Sequence, residues 1–246
     1  QTTDNAAAST KFLATYPTAR PSTIHGLLAH NLETTDTFRL RGATDAGITS
    51  VLFDSGVSDV WPVIYPYGSL PIEDPRFFTG RPDSEEREGY NAALIVVLPS
   101  IIYCQYWLWE FWTTASYLRA GRAFMSNGWQ SERDADIGAT VGYRPRSEVE
   151  LALGGTAYFN TLPPLRTAKI TLSAMSKDEA YTRAWELMRR AESSGEVLFS
   201  LDPDDDSNML RTTFLAHLLP GTSPIVMPHP KAVGMYQASF ELEELL

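Results

Sequence analysis

Ala92-Ala-Leu-Ile-Val-Val-Leu-Pro-Ser-Ile-Ile-Tyr-Cys-Gln-Tyr-Trp-Leu-Trp-Glu-Phe-Trp112 is the stretch on which the fold turns. It is long enough to cross a bilayer as a helix, since about 20 apolar residues suffice. Pro99-Ser100 interrupts it, however, and Gln105 and Glu110 lie inside it. A carboxylate at the bilayer centre costs roughly 3 kcal/mol. The run is rich in Ile, Val, Tyr, Trp and Phe, the residues that fit a pleated, half-buried surface. It therefore reads as two buried strands, Ala92–Leu98 and Ile101–Trp112, broken or bent near Pro99. No membrane insertion is expected.

Upstream, Phe38 and Leu40 alternate with Arg39 and Arg41, and Gly42-Ala-Thr-Asp45-Ala-Gly47 makes a turn. Val51-Leu-Phe53 and Val57–Trp61 are further short runs, separated by Asp54-Ser-Gly56. Residues 62–90 carry Pro62, Pro66, Pro71, Pro75 and Pro82 among many Gly, Asp and Glu, and read as a long exposed loop. Such loops are usually functional or mobile. Another strand is expected over Ser116–Met125.

Downstream the period-two alternation is cleaner. Val149, Leu151 and Leu153 oppose Glu148 and Glu150 within Ser147–Leu153. Ala168, Ile170, Leu172 and Ala174 oppose Lys169, Thr171 and Ser173, and Tyr236, Ala238, Phe240 and Leu242 oppose Gln237, Ser239, Glu241 and Glu243. Each such strand should bury one face. One helix is expected over 177–192. Ser176-Lys-Asp-Glu179 has capping-box spacing, and Tyr181, Ala184, Trp185 and Met188 form an apolar stripe ended by Gly195. Strands at 196–201 and 210–218 follow. Residues 126–146, with Asn127-Gly128 and the charged stretch Ser131–Asp136, supply the domain boundary near residue 135.

The chain has 246 residues, enough for one large or two modest domains. With 43% hydrophobic residues it can bury a substantial core. Its 20 basic and 30 acidic residues give a net charge of −10, which repels phosphate backbones and anionic lipid. Nucleic acid is not an expected partner. Arg outnumbers Lys by 16 to 4, a skew that suits buried protein interfaces. The lone Cys104 excludes a disulfide framework and reads as a buried small hydrophobe. Gln1–Ser9 is polar and Ala-rich, and no secretory signal is read there.

Motifs for chemistry are sparse. Gly56-Val-Ser58-Asp and Gly221-Thr-Ser223-Pro both lack the second glycine of a nucleophile elbow, and no phosphate-binding loop is present. His25, His30, His217 and His229 lack ligand spacing and read as surface or satisfied loop histidines. Asp202-Pro-Asp204-Asp205-Asp206-Ser-Asn208 has alternating carboxylates. With Ser207 at the sixth position and Thr213 at the twelfth it is no EF-hand, and it reads as a solvated turn, an irregular calcium loop being the alternative. No catalytic residue, metal or cofactor is assigned. Paired carboxylates for a glycosidase could come from distant strands, but nothing singles out a pair. Tyr103, Tyr106, Trp107, Trp109, Phe111 and Trp112 read as core or subunit interface. Trp61, Tyr65 and Tyr67, beside the Pro-rich loop, are the candidates for a glycan-stacking surface.

Phe38-Arg-Leu-Arg-Gly-Ala-Thr-Asp45, Val51-Leu-Phe-Asp-Ser-Gly56 and Ser116-Tyr-Leu-Arg-Ala-Gly-Arg122-Ala-Phe resemble strands and turns of galactose-binding-like (discoidin-type) jelly rolls. Gly121–Gln130, Gly154-Gly-Thr-Ala-Tyr158 and Tyr236–Glu244 resemble structural proteins of the tail tip of long-tailed bacteriophages. The order of the second half, an Arg-led strand (Arg166–Leu172), a helix, a strand with an acidic turn (Val197–Asp204) and an acidic closing strand, is similar to tail-tube and distal-tail domains. These resemblances imply a mainly β chain: a galactose-binding-like β-sandwich over 1–135, and a tail-tube-like β-sandwich with one flanking helix over 136–246. They imply a structural, non-enzymatic part of a virion tail tip or baseplate, assembled in the bacterial cytoplasm. Its partners would be three- or six-fold copies of itself and the tube, tape-measure and hub or fibre proteins. The alternative they imply is a carbohydrate-binding module contacting host surface glycan.

Overall fold

A computed structural model of the protein describes residues 10–152, 154–220, 223–226 and 235–245. The chain is mainly β, with antiparallel sheets, in keeping with the β-sandwich class. It divides into two compact units: Gln1–Gly128 with Asp202–Leu210, and Trp129–Leu201 with Arg211–Leu246. The first crossing lies between Gly128 and Trp129, inside the window 126–146. The return of 202–210 to the first unit has no precursor in the sequence pattern. Leu210 packs partly against the first unit's core, which draws the segment there.

The first unit is one six-stranded sheet built from β1 (Lys11–Leu28), β2 (Thr37–Ala43), β3 (Val51–Asp54), β4 (Ser58–Asp59), β5 (Ala93–Trp112) and β6 (Arg122–Ser126). The order is β3-β2-β5-β1-β6, with β4 beside β2. The opening stretch is a single 20-residue strand, not two. Its register against β1 jumps between Ser22↔Ile102 and Ile24↔Val97, so Leu98–Ile101 bulge opposite Thr23. A proline cannot donate to the ladder, and Pro99 is tolerated because it sits in that bulge. Burial is one-sided: Leu94, Leu98, Cys104, Trp107, Trp109 and Phe111 face the core, while Val97, Ile101 and Tyr103 are exposed. Trp109 and Phe111 stack at 5.9 Å with planes 5° apart, and Phe12 covers both.

β1, which pairs with both β5 and β6, is the element that sequence pattern missed. Pro17 and Pro21 break its alternation, and residues 16–19 bulge opposite Gln105, whose Nε2 donates to the Pro17 carbonyl at 3.3 Å. The strand expected over Ser116–Met125 is shorter, since only Arg122–Ser126 pairs, and Val57–Trp61 shrinks to Ser58–Asp59. Residues 62–90 are held in place rather than loose. They contain α1 (Ser84–Arg87), whose Asp83 cap and Glu86 form a complete capping box. Arg76 bonds Asp74 at 2.7 Å and Glu86 at 2.8 Å, and Arg81 bonds Asp59 at 2.5 Å.

The second unit contains β7 (Thr140–Arg144), β8 (Glu148–Leu151), β9 (Ala157–Asn160), β10 (Leu165–Met175), a helix α2 (177–191), β11 (Val197–Ser200), β12 (Thr213–Leu218), β13 (Ser223–Val226) and β14 (Tyr236–Glu244), and the short α3 (Met209–Thr212) spans the division between the units. The main sheet runs β11-β12-β14-β10-β7, with β13 beside β14. Ala168, Leu172, Phe214, Ala216, Leu218, Ala238, Phe240 and Leu242 build its core. The predicted inward Ala174 is displaced. It has φ +62° at a register shift between Leu172 and Met175, so Met175 turns inward instead.

α2 passes from Lys177–Glu179 through a π-helical stretch, Ala180–Trp185, into Glu186–Ala191. The wider π turn changes the phase of the expected stripe. Ala180, Ala184 and Ala191 face inward, and Trp185 is half exposed. The capping box is only half formed. Ser176 Oγ accepts from the Glu179 amide at 3.1 Å, but the Glu179 carboxylate turns to Trp129 Nε1 and the Glu132 amide. The helix ends at Ala191, whose carbonyl accepts from the Gly195 amide at 2.5 Å.

β8 and β9 pair only with each other, as a separate two-stranded sheet. Every residue of both strands is exposed, against the expectation that Val149 and Leu151 would face a core; Leu153, expected on the same face, lies outside the described residues. No helix among the described residues is long and apolar enough to cross a membrane.

Candidate functional site

The end of β1 and the foot of the 62–90 segment enclose a pocket of about 230 Å³ in the first unit, lined by His30, Asn31, Leu32, Glu33, Trp61, Arg87, Tyr90 and Ala92. Local sequence explains its walls. Ala29, at φ +53°, ends β1 and turns the chain so that His30–Glu33 line one side. Asn31 pins that turn by accepting from the Arg119 amide at 2.6 Å and donating to the Tyr117 carbonyl at 2.8 Å. Asp36 closes it, accepting from the Glu33 amide at 2.8 Å and from the Thr113 hydroxyl at 2.7 Å. α1 delivers Arg87 to the other side.

Within the pocket, Arg87 lies over the Trp61 ring with its guanidinium carbon 5.1 Å from the ring centroid. Its Nε donates to the Asp83 carbonyl at 3.2 Å, and an Nη reaches Glu33 at 3.3 Å. The last contact is long for a charge-assisted hydrogen bond, which is usually about 2.7–2.9 Å. His30 is 7% exposed. Its Nδ1 accepts the Leu32 amide at 3.3 Å, which places the ring proton on Nε2. That Nε2 has no hydrogen-bond partner among the described residues. Burial, reinforced by the Arg87 charge, pushes the His30 pKa down to about 4, so the ring is neutral at physiological pH.

The three aromatics expected to present a stacking surface are placed differently from one another. Trp61 is 4% exposed, with its indole N–H donating to the Leu32 carbonyl at 3.0 Å and Arg87 over its ring. It is a wall of the pocket rather than an open platform. Tyr65 bonds Glu86 through its hydroxyl and lies under Arg76, whose guanidinium is 4.9 Å from its ring centroid. Tyr67 is 82% exposed and leans on Phe77 at 5.4 Å. Neither Tyr65 nor Tyr67 lines the pocket. His30, Glu33 and Arg87 are the residues sequence reasoning did not assign, and three positions so far apart with no motif carried no local signal.

Two histidines depart from the surface placement read from the sequence: His25 and His30 are both buried. His25 Nε2 and the Ser22 hydroxyl are 2.7 Å apart, the contact of a nucleophile with its base. Ser22 is 2% exposed and His25 0%, and no group among the described residues bonds His25 Nδ1. The pair is sealed from any substrate and lacks an orienting carboxylate. It serves the packing of β1, with the His25 ring 3.9 Å from that of Trp107. His229 lies outside the described residues.

Cys104 is fully buried, and burial raises its thiol pKa, which keeps it protonated and unreactive. The Asp202–Asn208 cluster folds on itself: Asp202 accepts from the Asp204 amide, and Asp205 from both the amide and the side chain of Asn208. Among the described residues no group of His, Cys, Asp or Glu is arranged to hold a metal ion. Compared with protein-family models and with curated proteins, the sequence matches none.

Proposed function

We propose that the chain is a structural subunit of a multi-copy assembly of the phage tail-tip type, joining the tail tube to host-recognition parts of the virion. The β8–β9 hairpin carries this reading. Val149, Leu151 and Phe159 share one face of this two-stranded sheet, since Val149 pairs with Phe159, and are 56%, 73% and 68% exposed, while Tyr158 lies on the opposite face with Glu150. A lone two-stranded hairpin is marginal in water, and contiguous exposed apolar surface marks an interaction site. A second copy of the chain is the occupant that suits a ring built from one gene product. The Arg-over-Lys skew supports the same reading, because Arg is favoured in covered interfaces.

Sedimentation of the full chain tests it. Self-association at about 10–100 µM, abolished by Leu151→Asp with Phe159→Asp, is expected. A monomer across that range, with the hairpin amides exchanging equally fast in dilute and concentrated solution, overturns it. The tail version has a further test: a tape-measure reading frame beside the one encoding this chain is expected. The second reading is a carbohydrate-binding module contacting host surface glycan, and the pocket at His30 favours it.

A further inference from the structure

Asn127-Gly128 is the one Asn-Gly pair in the sequence. Asparagine is a thermolabile residue, and a following glycine has no Cβ to shield its nitrogen from the asparagine side chain. The pair directly follows β6, the edge strand of the first sheet, which is laddered to β1 from Ile24↔Ser126 to Leu28↔Arg122. Close packing calls for the glycine. A Cβ at Gly128 would lie 2.1 Å from Ile24 Cδ1 and 2.8 Å from Ile24 Cγ1, so a larger residue would displace Ile24 from the end of that ladder. One hydroxyl spans the pair. The Gly128 amide donates to Thr23 Oγ1 at 2.7 Å, and the same hydroxyl donates to Asn127 Oδ1 at 3.4 Å. Thr23 is free to do this because it stands at the register jump of β1 against β5, between Ser22 and Ile24. All three residues are half-buried, so water reaches them.

We propose that Asn127 is a deamidation site held shut by Thr23. In the reaction the Gly128 nitrogen gives up its proton and attacks Asn127 Cγ. The new N–C bond closes a succinimide ring, the Cγ–N bond of the side-chain amide breaks, and ammonia leaves with the proton. Water then opens the ring at one carbonyl to give aspartate, or at the other to give isoaspartate. Overall an amide and a water become a carboxylate and ammonium, and no oxidant or cofactor takes part. Either product adds one negative charge, and isoaspartate also lengthens the main chain by a methylene just before the division of the units after Gly128. Thr23 opposes the first step in two ways. Removing the proton breaks the 2.7 Å hydrogen bond, and the electron pair left on nitrogen points at the hydroxyl oxygen rather than at Cγ. The site opens when β6 lifts from β1, a local unfolding that costs an edge strand less than the whole unit. Modification of Asn127 is thus a chemical record of that opening.

Peptide mapping of the full chain after incubation at mildly alkaline pH tests this, with the gain in mass from amide to acid and isoaspartate both counted at residue 127. The folded chain should deamidate there more slowly than the same chain in denaturing urea. Thr23→Val should hasten the reaction about three- to tenfold, the effect of losing one hydrogen bond of ordinary net strength, and Thr23→Ser should leave it slow. Asn91 and Asn208, followed in the same digest, show whether Thr23→Val has loosened the chain as a whole. If it has, the wild-type chain decides: in urea below the global transition, deamidation at Asn127 should rise in step with hydrogen exchange of the Gly128 amide. Equal rates in the folded and unfolded chains, unchanged or slower deamidation in a folded Thr23→Val, or a rate that ignores Gly128 exchange overturns the proposal.

Discussion

Arg166 and Glu244 hold each other inside the second unit, at 2% and 5% exposure. Arg166 Nε donates to Glu244 Oε2 at 2.9 Å, a second nitrogen bonds the other oxygen, and Nη1 reaches the Thr213 carbonyl at 3.1 Å. The Arg166 amide also donates to Glu244 at 3.0 Å. β10, β12 and β14 are thus tied together by one guanidinium and one carboxylate. Removing one partner leaves an uncompensated buried charge, at a cost of about 3–5 kcal/mol. Glu244→Gln is expected to lose about that much stability in urea unfolding. The double replacement Arg166→Met with Glu244→Leu should recover most of it, because an apolar pair leaves no orphan charge.

Stability should begin to fall with acid as the two buried histidines titrate. Burial holds the pKa of His25 and of His30 down to about 4, whereas an unfolded histidine titrates near 6.5. Between those values the unfolded chain binds more protons, so the histidines' contribution is complete above about pH 6.5 and is lost as pH falls to about 4. Each histidine accounts for about 3 kcal/mol across that window. Asp45, Asp54 and Asp74 are held at about 2, by amide hydrogen bonds in the first and chiefly by arginines in the others, and act only below it. Urea midpoints at pH 7.0, 5.5 and 4.5 should show the decline, and His25→Gln should flatten it.

Gly42 faces the most crowded spot of the first core. A Cβ there would lie 2.7 and 2.9 Å from two atoms of the Trp107 ring and 3.0 Å from Cys104 Sγ. Trp107 has no room to yield, being fully buried between His25 and Phe53. Gly42→Ala is expected to cost about 1–3 kcal/mol, the usual range for overpacking. The loss should be visible as a lower thermal midpoint with altered tryptophan emission.

Arg76 is the hub of the 62–90 segment, bonding Asp74 and Glu86 and lying over Tyr65. Arg76→Ala should open that segment to protease while changing the global unfolding free energy by about 1 kcal/mol or less, because ion pairs that keep contact with solvent contribute little to overall stability. Mass spectrometry of limited-digestion products would place the new cuts between residues 62 and 90.

What could be read ahead from the sequence follows from how local each signal is. The alternation of β10 as far as Leu172, that of β14 and the Ser176 cap are set by neighbouring residues, and they appear where pattern put them. β1 was invisible because its pairing with β5 survives Pro17 and Pro21 through bulges, a tertiary solution no local pattern encodes. The same holds for Glu179, drawn from its cap role to Trp129, 50 residues away. Of the candidate site, Trp61 was legible as an aromatic beside an unusual loop, but its burial was not. His30, Glu33 and Arg87 meet only because Ala29 turns the chain and α1 returns Arg87 to it.

The return of Asp202–Leu210 to the first unit sets a timetable for synthesis on the ribosome. An N-terminal unit usually completes its folding as soon as its own chain has emerged. Here the chain from 1 to 128 must wait for Leu210 to reach its seat. At about 5–20 residues per second, the 82 residues from 128 to 210 take roughly 4–16 s to make. For that interval the nascent first unit stands with one apolar contact unfilled, and most of the second unit is translated before the first is complete.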